Sequence, residues 1–205
     1  MNTFPKMDII ETIKDGVNIG IKNIAPIIVN AILWLLTCWI PYLNVGTTIG
    51  LWVGIVSKAS RGETISSTEI FDPKYRKFMG EYFITAGLVF IGTLIGLCFL
   101  IIPGIVISIA WSLSLLLLID KGKNPTEAIS LSNNCTYGYK WKMFAIYFLT
   151  ITALAITAYI LSLIPFLGEI LAFLVNFMTL FIMIGLQASV YKQLTEDIPP
   201  LSVEN

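Results

Sequence analysis

Polar residues in this chain come in blocks, and the long apolar stretches between the blocks have the length and spacing of paired membrane helices. The pattern is plainest over residues 82–119, which contain no charged side chain. As one helix this stretch would reach about 57 Å, nearly twice the hydrocarbon thickness of a bilayer, so the chain must fold back, and Pro103-Gly104 is the place for the turn. The same Ile-Pro step recurs 62 residues to either side, as Ile40-Pro41 and Ile164-Pro165. The pattern therefore predicts three hairpins. Their arms are 24–40 with 45–57, the two halves of 82–119, and 144–164 with the stretch after Pro165 that runs to Lys192. The first arm would be about 25 Å long, slightly short of a 30 Å core, a gap that local bilayer thinning closes.

The polar blocks carry shorter periodic signals. In residues 6–22, Ile10, Ile13, Val17 and Ile21 recur at helical spacing against Glu11, Lys14, Asp15 and Lys22, which predicts an amphipathic helix at the membrane surface. In residues 58–80, Ser66 precedes Glu69 by three positions as a capping box, and Lys74, Arg76 and Lys77 alternate with Phe71, Tyr75 and Phe78 as suits a headgroup region. In residues 120–142, Asn124, Pro125 and Glu127 predict a helix start that continues toward Trp141 and the fifth arm. Gly46, Gly50 and Gly54 in the second arm, and Gly92 and Gly96 in the third, form small faces on which another helix can pack closely.

All 13 Lys and Arg residues fall in the N-terminal segment, in the blocks after the second and fourth arms, or from Lys192 onward, and none lies in the turns at Pro41, Pro103 and Pro165. By the positive-inside rule both termini and both long loops are expected on the cytoplasmic side of a prokaryotic plasma membrane, where the Asn134-Cys135-Thr136 sequon stays unmodified. Composition agrees: 56% of the 205 residues are hydrophobic and 13% charged, against about 25% charged in soluble domains. The net charge of zero gives no field for nucleic acid, and the first two dozen residues lack the pattern of a cleaved signal. The expected fold is all-α: one integral membrane domain over 1–205, six transmembrane helices in three hairpin repeats (6–58, 66–121, 124–192), a pseudo-threefold relation, interfacial amphipathic helices and a tail from 193.

Chemistry is sparse. There is no histidine, and Cys38, Cys98 and Cys135 have no CxxC spacing, which argues against metal sites and a disulfide framework. A Cys38–Cys98 bond stays open, with thiols packed as small apolar groups the preferred reading. Ser108, Ser112 and Ser114 have no base to activate them and are expected to bond within or between helices. Gly122-Lys123 lacks the rest of a phosphate-binding loop. On the sixth arm Glu169, Asn176 and Gln187 lie within about 20° of one face. With Asn30 and Asn44 they are the candidate polar lining of a route along the axis. The structural alternative places Glu169 near a helix start and has the two amides bond to neighbouring helices.

The segment PGIVISIAWSLSLLLLIDKGKNPTEAISLS, followed by YGYKWKMF, resembles the polytopic prokaryotic family described as glycerophosphoryl-diester-phosphodiesterase membrane-domain-like. The resemblance covers residues 103–192. It implies six helices and cytoplasmic termini, without the catalytic domain that named the family; Ser130 stands where the family often has a basic residue. The resulting expectation is a non-enzymatic scaffold or accessory component without cofactor, in contact with the bilayer, with a protein partner at its cytoplasmic loops or with further copies of itself. The alternative is a transporter or channel-like subunit for a small solute, ion or lipid.

Overall fold

The computed structural model describes residues 7–198, and every regular element among them is helical. Helices α1 (Ile9–Lys22) and α2 (Ile24–Thr37) meet at Asn23 with a 64° bend. The chain reverses at Ile40, and Pro41 opens α3 (Pro41–Ile49), where its missing N–H costs nothing. A π-helical turn at Gly50–Gly54 leads into α4 (Ile55–Ser60). A 3₁₀ turn at Glu69–Phe71 and the short α5 (Lys74–Lys77) lead to α6 (Met79–Phe99). Leu100 is extended and starts the return through α7 (Ile101–Ala110) and α8 (Ser114–Lys121). Helix α9 (Pro125–Thr136) precedes α10 (Lys140–Ser162), and the Ile164-Pro165 turn joins it to α11 (Gly168–Thr195). The Ile-Pro steps at Pro41 and Pro165 lie at turns between helices; the second turn instead comes at Leu100, three residues before the predicted Pro103-Gly104, which sit in the first turn of α7 where the missing N–H of proline is tolerated.

Four stretches are long and apolar enough to cross a membrane: Met79–Phe99, Ile101–Lys121, Lys140–Ser162 and Gly168–Thr195. The bent pair α1 and α2 makes five if it counts as one. The second predicted arm is not among them. Its glycine face is covered by the polar block that follows it: a Cβ on Gly46 would meet Arg76, one on Gly50 the backbone of Ile70, and one on Gly54 the Tyr75 hydroxyl. A loop segment, rather than another span, uses that close approach. On α6 the glycines do pack helix on helix, Gly92 under the Trp111 ring and Gly96 against Gly104 of α7.

Burial is concentrated at the charged end of the molecule. Ile55, Val56, Leu117, Leu118, Met143, Ile146, Leu186 and Val190 are core residues there. At the opposite end Phe99, Leu100, Ile101, Tyr159, Phe166 and Phe173 are bare. Helix α1 enters this core through glycine. A Cβ on Gly185 of α11 would stand 2.0 Å from the Gly16 carbonyl oxygen, and one on Gly20 would stand 2.4 Å from that of Phe181. Asp15 and Thr12 extend the seam by bonding Ser189 and Gln193. The predicted amphipathic helix is therefore docked by its small face, with Ile10 and Ile21 left exposed.

The return arm of the second hairpin is interrupted at Trp111–Leu113, and polar side chains take up the freed backbone groups, as membrane depth requires. Ser132 of α9 donates to Ala110 O at 2.7 Å and accepts from Leu113 N at 3.2 Å, while Gln187 donates to Ser112 O at 3.3 Å. Other details differ from expectation. Helix α9 stops at Thr136 because Gly138 takes φ +83°, so α10 starts afresh at Lys140. Ser66 bonds Thr68 N and caps no helix with Glu69. The expected tail begins as the end of α11, and residues 199–205, like Lys6, lie outside the described residues. Cys38, Cys98 and Cys135 are free thiols, and Cys98 is exposed. Ser108 and Ser112 bond backbone carbonyls of their own turns; Ser114 is buried without a partner.

Candidate functional site

The five polar residues predicted to line a route occupy different environments. Asn30 is fully buried: its amide donates to Pro26 O and Ser66 O, each at 2.8 Å, and accepts from Ile70 N at 3.1 Å. It clamps the 66–70 segment onto α2. Asn44 accepts from the Thr48 hydroxyl, which in turn accepts from the Trp34 indole, and so ties α3 to α2. Gln187 accepts from Tyr147 and supports the interrupted arm. Glu169 and Asn176 are exposed on the outer surface of α11, and Asn176 donates to its own helix at Ala172 O. The structure does not bring these five residues to one lining.

It brings another set together. Asp120, at the end of α8, is 6% exposed and receives three hydrogen bonds, two from α4 and its C-cap and one from α11. Its Oδ1 accepts from Ser57 and Arg61, and its Oδ2 accepts from Tyr191 at 2.8 Å, with Lys121 3.8 Å away. Ser57, Asp120 and Tyr191 each stand immediately before the lysine that follows a returning arm: Lys58, Lys121 and Lys192. Helices α4, α8 and α11 are therefore fastened through one carboxylate. That common X-Lys step was readable in the sequence, but periodicity does not mark it, because Asp120 reads there as an ordinary start of a polar loop.

No protein-family model, curated protein or solved structure matches this chain.

A second carboxylate, on the 3₁₀ turn, is also buried. Glu69 is 3% exposed and accepts from Lys58 at 2.7 Å, from the Tyr75 hydroxyl at 2.7 Å and from Lys74 at 3.4 Å. Burial pushes the Glu69 carboxyl upward, but the hydrogen bonds from Lys58 and Tyr75 together with the charges of Lys58 and Lys74 outweigh it and hold the group below its ordinary range. Arg61 also binds Glu63, whose hydrogen bond leads the causes that raise the guanidinium further and keep it charged. Beside Asp120 is a cavity of about 280 Å³ lined by Lys58, Arg61, Lys74, Tyr75, Phe78 and Asp120, among others. No group of three or more His, Cys, Asp or Glu among the described residues could hold a metal ion. The arrangement is suited to holding elements together and to meeting an anion.

Proposed function

We propose that the chain is a non-enzymatic integral membrane protein acting as a scaffold or accessory component, whose apolar arms associate with a partner or with further copies within the bilayer. The observation that carries the reading is the contrast in burial. Only 11% of the apolar window of α6 and 17% of that of α10 is buried within the chain, whereas the charged end is closed by the Asp120 and Glu69 networks. Membrane helices associate by close packing and polar contacts rather than by a hydrophobic drive, and arms this bare present most of their packing surface outward. In this reading six arms form three hairpins about a pseudo-threefold axis. The convergence of Ser57, Asp120 and Tyr191 supports that relation. The charged end faces the cytoplasm of a prokaryotic cell, in keeping with the distribution of Lys and Arg and with the resemblance of residues 103–192.

Single cysteines at Ile84, Ile91 and Leu94, placed in a background lacking the native three, test the idea with a membrane-permeant thiol reagent. Protection in native membranes that is lost after purification into detergent is the expected result. Equal reactivity in both settings sinks the association. Flux of solute through proteoliposomes, lost in Glu169→Gln or Asn176→Leu with the fold intact, would replace it with the transport alternative.

A further inference from the structure

From the cavity between α4, α5 and α8 we infer a binding site for a phosphate group. Among the side chains that line it, three cations (Lys58, Arg61 and Lys74) face one carboxylate, Asp120, whose oxygens are already engaged by Ser57, Arg61 and Tyr191. The other buried acid, Glu69, is likewise occupied by Lys58, Lys74 and Tyr75. Donor capacity remains. An ammonium group has three N–H donors; among the described residues Lys58 uses one, on Glu69, and Lys74 uses two, on Glu69 and Asp72. The carboxylates therefore hold the lysines in place around the cavity without exhausting them. Lys74 also sits 4.7 Å from the centre of the Tyr75 ring, which restrains its long side chain. A volume of about 280 Å³ is at the small end of ligand pockets, which fits a compact tetrahedral anion carrying a short substituent.

The wall also has an apolar side formed by Phe78 and Ile119. Helix α6 begins at the next residue after Phe78, with Phe83 and Ile84 exposed. A phosphate held by the cations would thus have an apolar helix surface beside it for acyl chains. This part of the inference rests on α6 lying in the membrane. Phosphate esters that are soluble share the recognition chemistry, so the test has to separate the two sources.

Purified protein in detergent is titrated with phosphatidylglycerol, with phosphatidylcholine as the uncharged-headgroup control, and bound lipid is counted by native mass spectrometry; in parallel, glycerol 3-phosphate and inorganic phosphate are titrated by calorimetry. The expected result is one tightly held phosphatidylglycerol, weakened roughly tenfold by Lys74→Gln, the effect of losing one charge-assisted hydrogen bond. Lys74→Arg should restore it, and Lys77→Gln, an exposed neighbour on the same helix, should leave it unchanged. Lys74 is 44% exposed, so the fold tolerates these changes. Binding of glycerol 3-phosphate with the same dependence on Lys74, without lipid binding, keeps the phosphate site and assigns it to a soluble ester. If neither probe depends on Lys74, or if Lys77→Gln weakens binding equally, the site is overturned. Extraction of the protein from cells without detergent would separately refute the membrane placement.

Discussion

At the scale of single residues, two buried carboxylates account for most of the order at the charged end. Asp120 satisfies donors from α4 and α11, so Asp120→Ala leaves the Tyr191 hydroxyl and one face of Arg61 without their acceptor. It should cost roughly 2–4 kcal/mol, whereas Tyr191→Phe, which removes one hydrogen bond to a charged group, should cost about 1.5 kcal/mol. Thermal melts in detergent rank the two; an equal effect would mean that the hydroxyl alone matters. Glu69 brings a pH dependence. Because its folded pKa lies below the unfolded value of about 4.3, its contribution is fully present above that pH and is lost as pH falls through the folded pKa. Melting temperature should therefore fall on acidification below about pH 4.3, and Glu69→Gln should flatten that fall while lowering stability at pH 7.

Between elements, the closest approach is the crossing of α1 and α11. Backbone atoms of Gly16, Gly20 and Gly185 meet with no room for a side chain, so Gly185→Val forces the helices apart and should cost about 3 kcal/mol. Hydrogen exchange would show α1 losing protection before α10 does; uniform loss would mean that α1 is not an independent unit. The spacing Gly16-x-x-x-Gly20 was legible in the sequence, but the stronger apolar and charged periodicity of Ile10, Ile13, Val17 and Ile21 pointed to a surface helix. The second arm failed as a clean span for a related reason. Its glycines read as a helix-packing face, and only the fold shows that Ile70, Tyr75 and Arg76 fill it.

On the scale of the whole molecule, buried polar networks lie at one end and bare apolar arms at the other. That polarity fits a bilayer with the charged end in water, and the proposed cytoplasmic placement of that end has a test. Thr64→Cys and Lys123→Cys should react with an impermeant thiol reagent only in inverted vesicles, and Phe166→Cys only in intact cells. Labelling of all three from one side would place the third hairpin's turn on the same face as the loops. Phe166 is fully exposed at that turn with φ +65°, a left-handed backbone unusual for an aromatic residue.

The amino-acid sequence alone determined the helical class, the reversals at Pro41 and Pro165, the Asn124 cap and the segregation of charge. Each of these depends on local properties: hydropathy, a missing N–H, a side-chain acceptor beside an unpaired backbone donor. Tertiary structure alone decided that Gln187 supports a broken helix, that Asn30 clamps a loop, and that Glu169 and Asn176 face outward. It also brought Ser57, Asp120 and Tyr191 to one point. These outcomes depend on which helix faces which across separations of 36 to 75 residues along the chain, and they were settled by the space glycines leave and by the need of buried polar groups for partners.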